Sequence, residues 1–340
     1  MIPGARKRAA KTAAGCILLL SFCLSPVFGQ NAKMQNPAPK SCSSRPALEA
    51  VQAGEALACT ESSLGRLPNV LRIVHHGRTE LLLKAQDSSG KFFFAGSPAV
   101  PEGTDVTGSG LPELVVQYNS GAAHCCVQMM IFTLGDRVRL LASVALGDEG
   151  EQDPVFEPNH SGVGYHLAAQ DASFANWPMG YAGSVFVPIL LRPASAGGKL
   201  IFHLDPEEMG RQPPAEEQWQ KESLPAARAA LSGLDEAAPG SWRATVTPDL
   251  WSAMLDWIYG GQAGTAWKLL DQAWPASASA ASKEDFLQSF CSRLAGSPYF
   301  TDLHAQLAGA PEACQQGLRK PQGQPGEKPP AFPGRRKTAR

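Results

Sequence analysis

After its first thirty residues the chain lacks any apolar run near the roughly twenty residues that a helix needs to cross a bilayer. Nothing beyond that first segment reads as a membrane anchor. The chain also lacks a nucleophile elbow, a zincin-type histidine pair and a phosphate-cradling glycine loop, so no motif points to serine hydrolysis, zinc proteolysis or nucleotide chemistry. Charged residues are scarce, at 18% of 340, and their formal sum of −1 offers no basic surplus for nucleic acid as the main partner.

What the first segment has is a three-part export signal. Arg6, Lys7, Arg8 and Lys11 give a positive start, and Ala13 to Phe28 is an apolar stretch of signal-peptide length. Val27 and Gly29 place small residues ahead of Gln30, which predicts cleavage after Gly29 and removal of residues 1–29. Lipid anchoring would use Cys23, but Phe22 is too bulky for the position before a modified cysteine. The expected product is secreted, periplasmic or extracellular, and not transmembrane. Losing four basic side chains takes its formal charge from −1 to about −5. Residues 317–340 carry Arg319, Lys320, Lys328, Arg335, Arg336, Lys337 and Arg340 against Glu327 alone, a Pro/Gly-rich basic tail that cannot bury enough apolar surface to order itself.

Six cysteines follow the cleavage point: Cys42, Cys59, Cys125, Cys126, Cys291 and Cys314. In an oxidising compartment an even number suggests disulfides. Proximity favours Cys42 with Cys59 and Cys291 with Cys314, leaving the adjacent Cys125 and Cys126 to bridge each other, stay reduced or exchange with the N-terminal pair.

Residues 69–205 consist of short runs rich in Val, Ile, Leu, Phe and Thr, separated by Gly, Asp, Asn and Ser, the pattern of an antiparallel β-domain. The nine expected strands begin at Val70, Glu80, Phe92, Glu113, Val127, Val138, Tyr165, Val185 and Lys199. Residues 30–68 form an extension in which alanine-rich Pro46 to Cys59 predicts a short helix. Residues 206–316 predict a helical domain, so the fold class is α+β. Its helices are Glu216 to Leu231, one from Pro248 capped by Thr247, Thr265 to Ala273, and one capped by Ser282 with Asp285 completing a box.

The most informative segment is Asp105-Val106-Thr107-Gly108-Ser109-Gly110-Leu111-Pro112-Glu113, followed at once by Leu114-Val115-Val116. Side-chain oxygens of Asp105, Thr107, Ser109 and Glu113, with the Leu111 carbonyl, have the spacing that wraps calcium. The segment resembles FG-GAP/VCBS-type repeats, the calcium-loop repeats of integrin alpha-chain propellers and of secreted bacterial proteins. A second, decayed copy aligns Glu157, Asn159, Ser161 and Gly162 with Asp105, Thr107, Ser109 and Gly110, about 52 residues on, close to the length of a propeller blade. Tyr165 replaces its last acid, so this copy is expected to hold no ion. The resemblance implies an N-terminal β-domain of propeller-like FG-GAP units, too few to close a ring. With two carboxylates the Asp105 loop would bind calcium weakly; the alternative is an ion-free turn capped by its own side chains.

Ser120 to Cys126 places His124 beside Cys125 and Cys126, a candidate redox or metal group or a structural disulfide. His75 and His76 sit at a turn with no acid at ligand spacing and read as surface residues. Asp171, Ser173, Phe174, Asn176 and Trp177 read as a loop packing its aromatics inward, with a polar groove as the alternative. No catalytic residue is assigned. The function expected is a secreted non-enzymatic binding or scaffold protein, calcium-stabilised or not, for a protein or glycan ligand; the alternative is an exported redox or metal-dependent protein using His124, Cys125 and Cys126.

Overall fold

The computed structural model describes residues 42–43, 47–63, 65, 67–86, 88–122, 125–148, 152–234, 242–307 and 309–318. The predicted signal, the basic tail past Leu318 and His124 lie outside them, as does the Cys125 side chain.

All nine expected strands form, and three more join them. The result is three antiparallel four-stranded sheets, each an up-and-down run of sequence neighbours. Sheet 1 is β1 (Ala47–Ala53), β2 (Ala56–Glu61), β3 (Val70–His75) and β4 (Arg78–Lys84). Sheet 2 is β5 (Lys91–Phe94), β6 (Glu113–Ala122), β7 (Cys125–Leu134) and β8 (Val138–Gly147). Sheet 3 is β9 (Val155–Pro158), β10 (Tyr165–Phe174), β11 (Val185–Ala196) and β12 (Lys199–Leu204).

The helix expected over Pro46 to Cys59 is instead the hairpin β1–β2. Alanine favours helix, but Gly54, at φ +56°, permits the tight turn to Glu55, and pairing with β3 buries Ala53, Ala56, Ala58 and Cys59. Tertiary burial overrides a local preference worth a few tenths of a kcal/mol per residue.

Sheet 2 is the middle layer because its strands are apolar on both faces. Leu114, Val116, Met130 and Phe132 pack against Ala58, Leu71 and Ile73 of sheet 1. Their neighbours Val115, Met129 and Ile131 join Leu167, Val187 and Ile189 of sheet 3 in a second cluster. Side chains alternate across a strand, so β6 and β7 serve two cores at once.

The second cluster continues without a break into the helices, within one unit spanning Pro39–Arg340. These are α1 (Glu216–Gln218), running through a π-turn into α2 (Leu224–Ala230), then α3 (Trp242–Thr245), α4 (Pro248–Tyr259), α5 (Ala263–Ala273), α6 (Ala280–Leu294), α7 (Phe300–His304) and α8 (Glu312–Leu318). Thr247 occupies the N-cap of α4, although its hydroxyl meets Asp249 rather than a backbone N–H. The cap of α6 is Ser279, not Ser282: Ser279 Oγ accepts from the Ser282 N–H, and Ser282 itself is buried. Asp285, expected to complete a capping box, instead accepts from Trp242 Nε1 at 2.7 Å and Arg243 at 2.9 Å. Gly317 and Leu318 belong to α8 and not to the tail. A Cβ at Gly317 would stand 2.5 Å from the Gln288 carbonyl oxygen, so glycine lets α8 lie directly on α6.

Disulfides Cys42–Cys59 and Cys291–Cys314 both form. The first ties the segment ahead of β1 to β2, the second α6 to α8. No helix among the described residues is long and apolar enough to cross a membrane.

Candidate functional site

The Asp105 loop and the Glu157 loop occupy equivalent places, each joining the first strand of its sheet to the second. Glu113 opens β6 as Tyr165 opens β10, which matches the alignment made from sequence. In the first loop Gly108 and Gly110 take φ of +76° and +78°, and the side chains turn inward. Glu113, 1% exposed, accepts from the N–H groups of Val106 and Thr107 at 3.0 and 3.1 Å, from Ser109 Oγ at 2.8 Å, and from the Thr107 hydroxyl. Asp105 accepts from the N–H groups of Ser109 and Gly110 at 2.8 and 2.7 Å. Burial raises the Glu113 carboxyl, the Thr107 and Ser109 hydroxyls oppose that, and Asp105 adds to it. The carboxylates are thus satisfied by the loop's own donors, the arrangement of an Asx-type turn. Calcium would have to displace N–H and O–H groups from both of them. Leu111, whose carbonyl completes the calcium pattern, stands exposed at the tip.

The second loop is organised by Asn159. Its side chain donates to the Val163 carbonyl at 2.8 Å and meets His166 Nδ1 at 3.0 Å, while Glu208 takes the His160 N–H and ring.

Ahead of β6, Glu102 accepts from the Gly96 N–H at 2.7 Å and the Val115 N–H at 3.3 Å, fastening the long β5–β6 connection to sheet 2. Burial pushes its carboxyl up to about 7, opposed by those two donors and assisted by the nearby Glu49.

Asp171, on the helix-facing side of sheet 3, is buried and accepts from Tyr259 Oη at 2.5 Å, Ser297 Oγ at 2.6 Å, and the N–H and hydroxyl of Ser173. Burial first, then the Asp171 charge, raises the Tyr259 phenol well above its ordinary value. Phe174 and Trp177 point inward, against Phe290, Trp242 and Trp251, as expected, but Asp171, Ser173 and Phe174 belong to β10 rather than to a loop. Asn176 takes a left-handed φ of +57°.

Sequence spacing gave no sign of a cleft of about 360 Å³ between sheet 3 and the end of α4. Its floor is apolar, from Ala168, Pro188, Ile189 and Met209, and Asp153, Glu157, Glu208, Asp256 and Arg211 converge on it. Asp256 lies 3.5 Å from Arg211, and burial nevertheless raises its carboxyl. A broader depression of about 920 Å³ between α5, α6 and α8 is lined by charged side chains that already pair, such as Lys283 with Asp271 at 2.8 Å. The smaller cleft is the one where an acidic excess, four carboxylates against one guanidinium, converges on an apolar floor.

Cys126 is disulfide-bonded. The residues that would accompany it in a redox or metal group, His124 and the Cys125 sulfur, fall outside the described residues. Comparison with known proteins returns no match, whether to family models, to curated proteins or to solved structures.

Proposed function

We propose that the protein is an exported, non-enzymatic binding or scaffold protein whose ligand seat is the cleft between sheet 3 and α4. The observation that carries this is the convergence of four carboxylates and one guanidinium on a concave, half-apolar surface. That balance favours a cationic group, an amine or the basic side chain of a partner protein, over an anion. The three-sheet stack holds the cleft's strands rigidly, and the Asp171–Tyr259 contact locks α4 against them. The FG-GAP-like loops serve the same scaffold as connections pinned by their own donors.

A thermal-shift panel of spermidine, a lysine dipeptide amide and neutral oligosaccharides tests the reading. Cationic members should raise Tm in the parent, and Asp256→Asn or Glu208→Gln should abolish the shift. No shift with any member, or equal shifts in parent and variants, overturns it. A shift with oligosaccharides alone would replace the cationic ligand with a glycan. The redox alternative is checked separately by thiol titration of the denatured, unreduced protein, where a free thiol at Cys126 would revive it.

A further inference from the structure

We propose that the turn end of sheet 1 is a transition-metal site of the zinc class, built from His75, His76 and Glu55 with Glu80 beside them. Neighbouring residues in a regular strand point to opposite faces, so a His-His pair cannot ordinarily share a ligand. Here it can. His76 and Gly77 form the two-residue turn between β3 and β4 with φ of +49° and +74°, the positive pair of a type I′ turn. A left-handed φ is uncommon for any residue but glycine. It folds the His76 ring back over His75, with centroids 3.9 Å apart.

The acids arrive by register. β2 pairs with β3 so that Leu57 faces Val74, and continuing that ladder sets Glu55 beside His76, with Glu55 Oε2 3.2 Å from His76 Nδ1. In β4 the ladder slips between Ile73 and Val74, so Glu80 is the extra residue of a bulge. Bulges re-aim side chains, and this one brings Glu80 Oε1 to 3.8 Å from His75 Nδ1 while its other oxygen accepts from the Val138 N–H.

One ligand atom from each of Glu55, His75 and His76 lies within 4.8 Å of the other two. Bonds of about 2.0 Å to a tetrahedral ion need ligand atoms roughly 3.3 Å apart, a contraction that exposed side chains supply. His76 and Glu55 are 55% and 77% exposed and act as the movable lid. His75 is 2% exposed, at the end of the row Leu71, Ile73, His75 facing sheet 2, and its Nδ1 has no hydrogen-bond partner. A buried ring nitrogen without a partner is destabilising, and a metal bond would remove that penalty. Two imidazoles and carboxylates select zinc or copper over calcium or magnesium, which prefer all-oxygen cages.

Titrate chelator-treated full-length protein with Zn²⁺, and record the visible spectrum with Co²⁺. One equivalent should bind, raise Tm and give the intense d–d bands of a four-coordinate ion. His76→Asn, which keeps a residue tolerant of the left-handed turn, and Glu55→Gln should each weaken affinity at least about tenfold, whereas His304→Asn should not. Circular dichroism of His76→Asn and Glu55→Gln confirms that they fold. Equal zinc affinity in parent, His76→Asn and Glu55→Gln, or a six-coordinate cobalt spectrum, overturns the proposal.

Discussion

Asp171 and Asp105 show what a single carboxylate does when its donors are fixed. Asp171 links β10 to α4 and to Ser297, so replacing it removes the close acceptor of both the Tyr259 and the Ser297 hydroxyl in a dry interior and leaves them the 3.2 Å bond from Tyr259 Oη to Ser297 Oγ. Asp171→Ala should lower the unfolding free energy by about 3 kcal/mol, and Tyr259→Phe, which removes one partner only, by about 1 kcal/mol. Urea denaturation checks both. Asp105→Ala frees the Ser109 and Gly110 N–H groups near solvent and should cost about 1 kcal/mol, the same in chelator as in millimolar calcium. A calcium-dependent rise in Tm that appears in the parent and vanishes in Asp105→Ala would instead make the loop an ion site. The oxygens of this loop could be read from spacing. Their partners could not, because N–H groups and calcium ask for the same oxygens.

Connections and hairpins carry the next level of consequence, and Glu102 in the β5–β6 connection gives it a pH dependence. Its carboxyl, raised to about 7 from the ordinary 4.5, binds a proton more tightly in the folded than in the unfolded chain. Its contribution is therefore fully present below about pH 4.5 and is lost as pH rises through about 7. Glu102→Gln, whose single amide oxygen can serve only one of the Gly96 and Val115 N–H groups, should be about 1 kcal/mol less stable than the parent at pH 4 and should gain on the order of 2 kcal/mol on it by pH 8. Equal pH profiles for the two proteins would refute this. Strands β3 to β8 and β10 to β12 were legible because their short runs rich in Val, Ile, Leu and Phe are broken by Gly, Asp, Asn and Ser. The hairpin β1–β2 was not, since a run such as Ala56-Leu57-Ala58-Cys59 satisfies helix and strand alike and only β3 decides between them. The His75 group was hidden for a related reason: Glu55 and Glu80 reach it through ladder register and a bulge, neither of which leaves a spacing motif. The cleft residues come from the segment leading into β9, from β9, β10 and β11, from the link after β12 and from the end of α4, so no local pattern could assemble them.

In the whole molecule the change from strand to helix near Asp205 marks a change of element within a continuous core, since sheet 3 and the helices share one apolar cluster. The Cys291–Cys314 bridge joins two core residues at a sequence separation of 23, and Cys291→Ser with Cys314→Ser should cost about 3 kcal/mol by chemical denaturation. Loss of less than about 1 kcal/mol would show that Gly317 packing alone holds α8. The stack is unequal at its ends. Sheet 3 is clamped by helices, while sheet 1 rests on sheet 2 through a separate and smaller apolar layer. Hydrogen exchange should then register β1–β4 as the first unit to open, at a free energy below that of global unfolding. Once open, it bares Leu114, Val116 and Phe132, a strip shaped to receive a sheet. The detached β1–β4 of a second copy fits that strip as well as the molecule's own, so crowding and mild denaturation together favour reciprocal exchange of sheet 1 into a dimer.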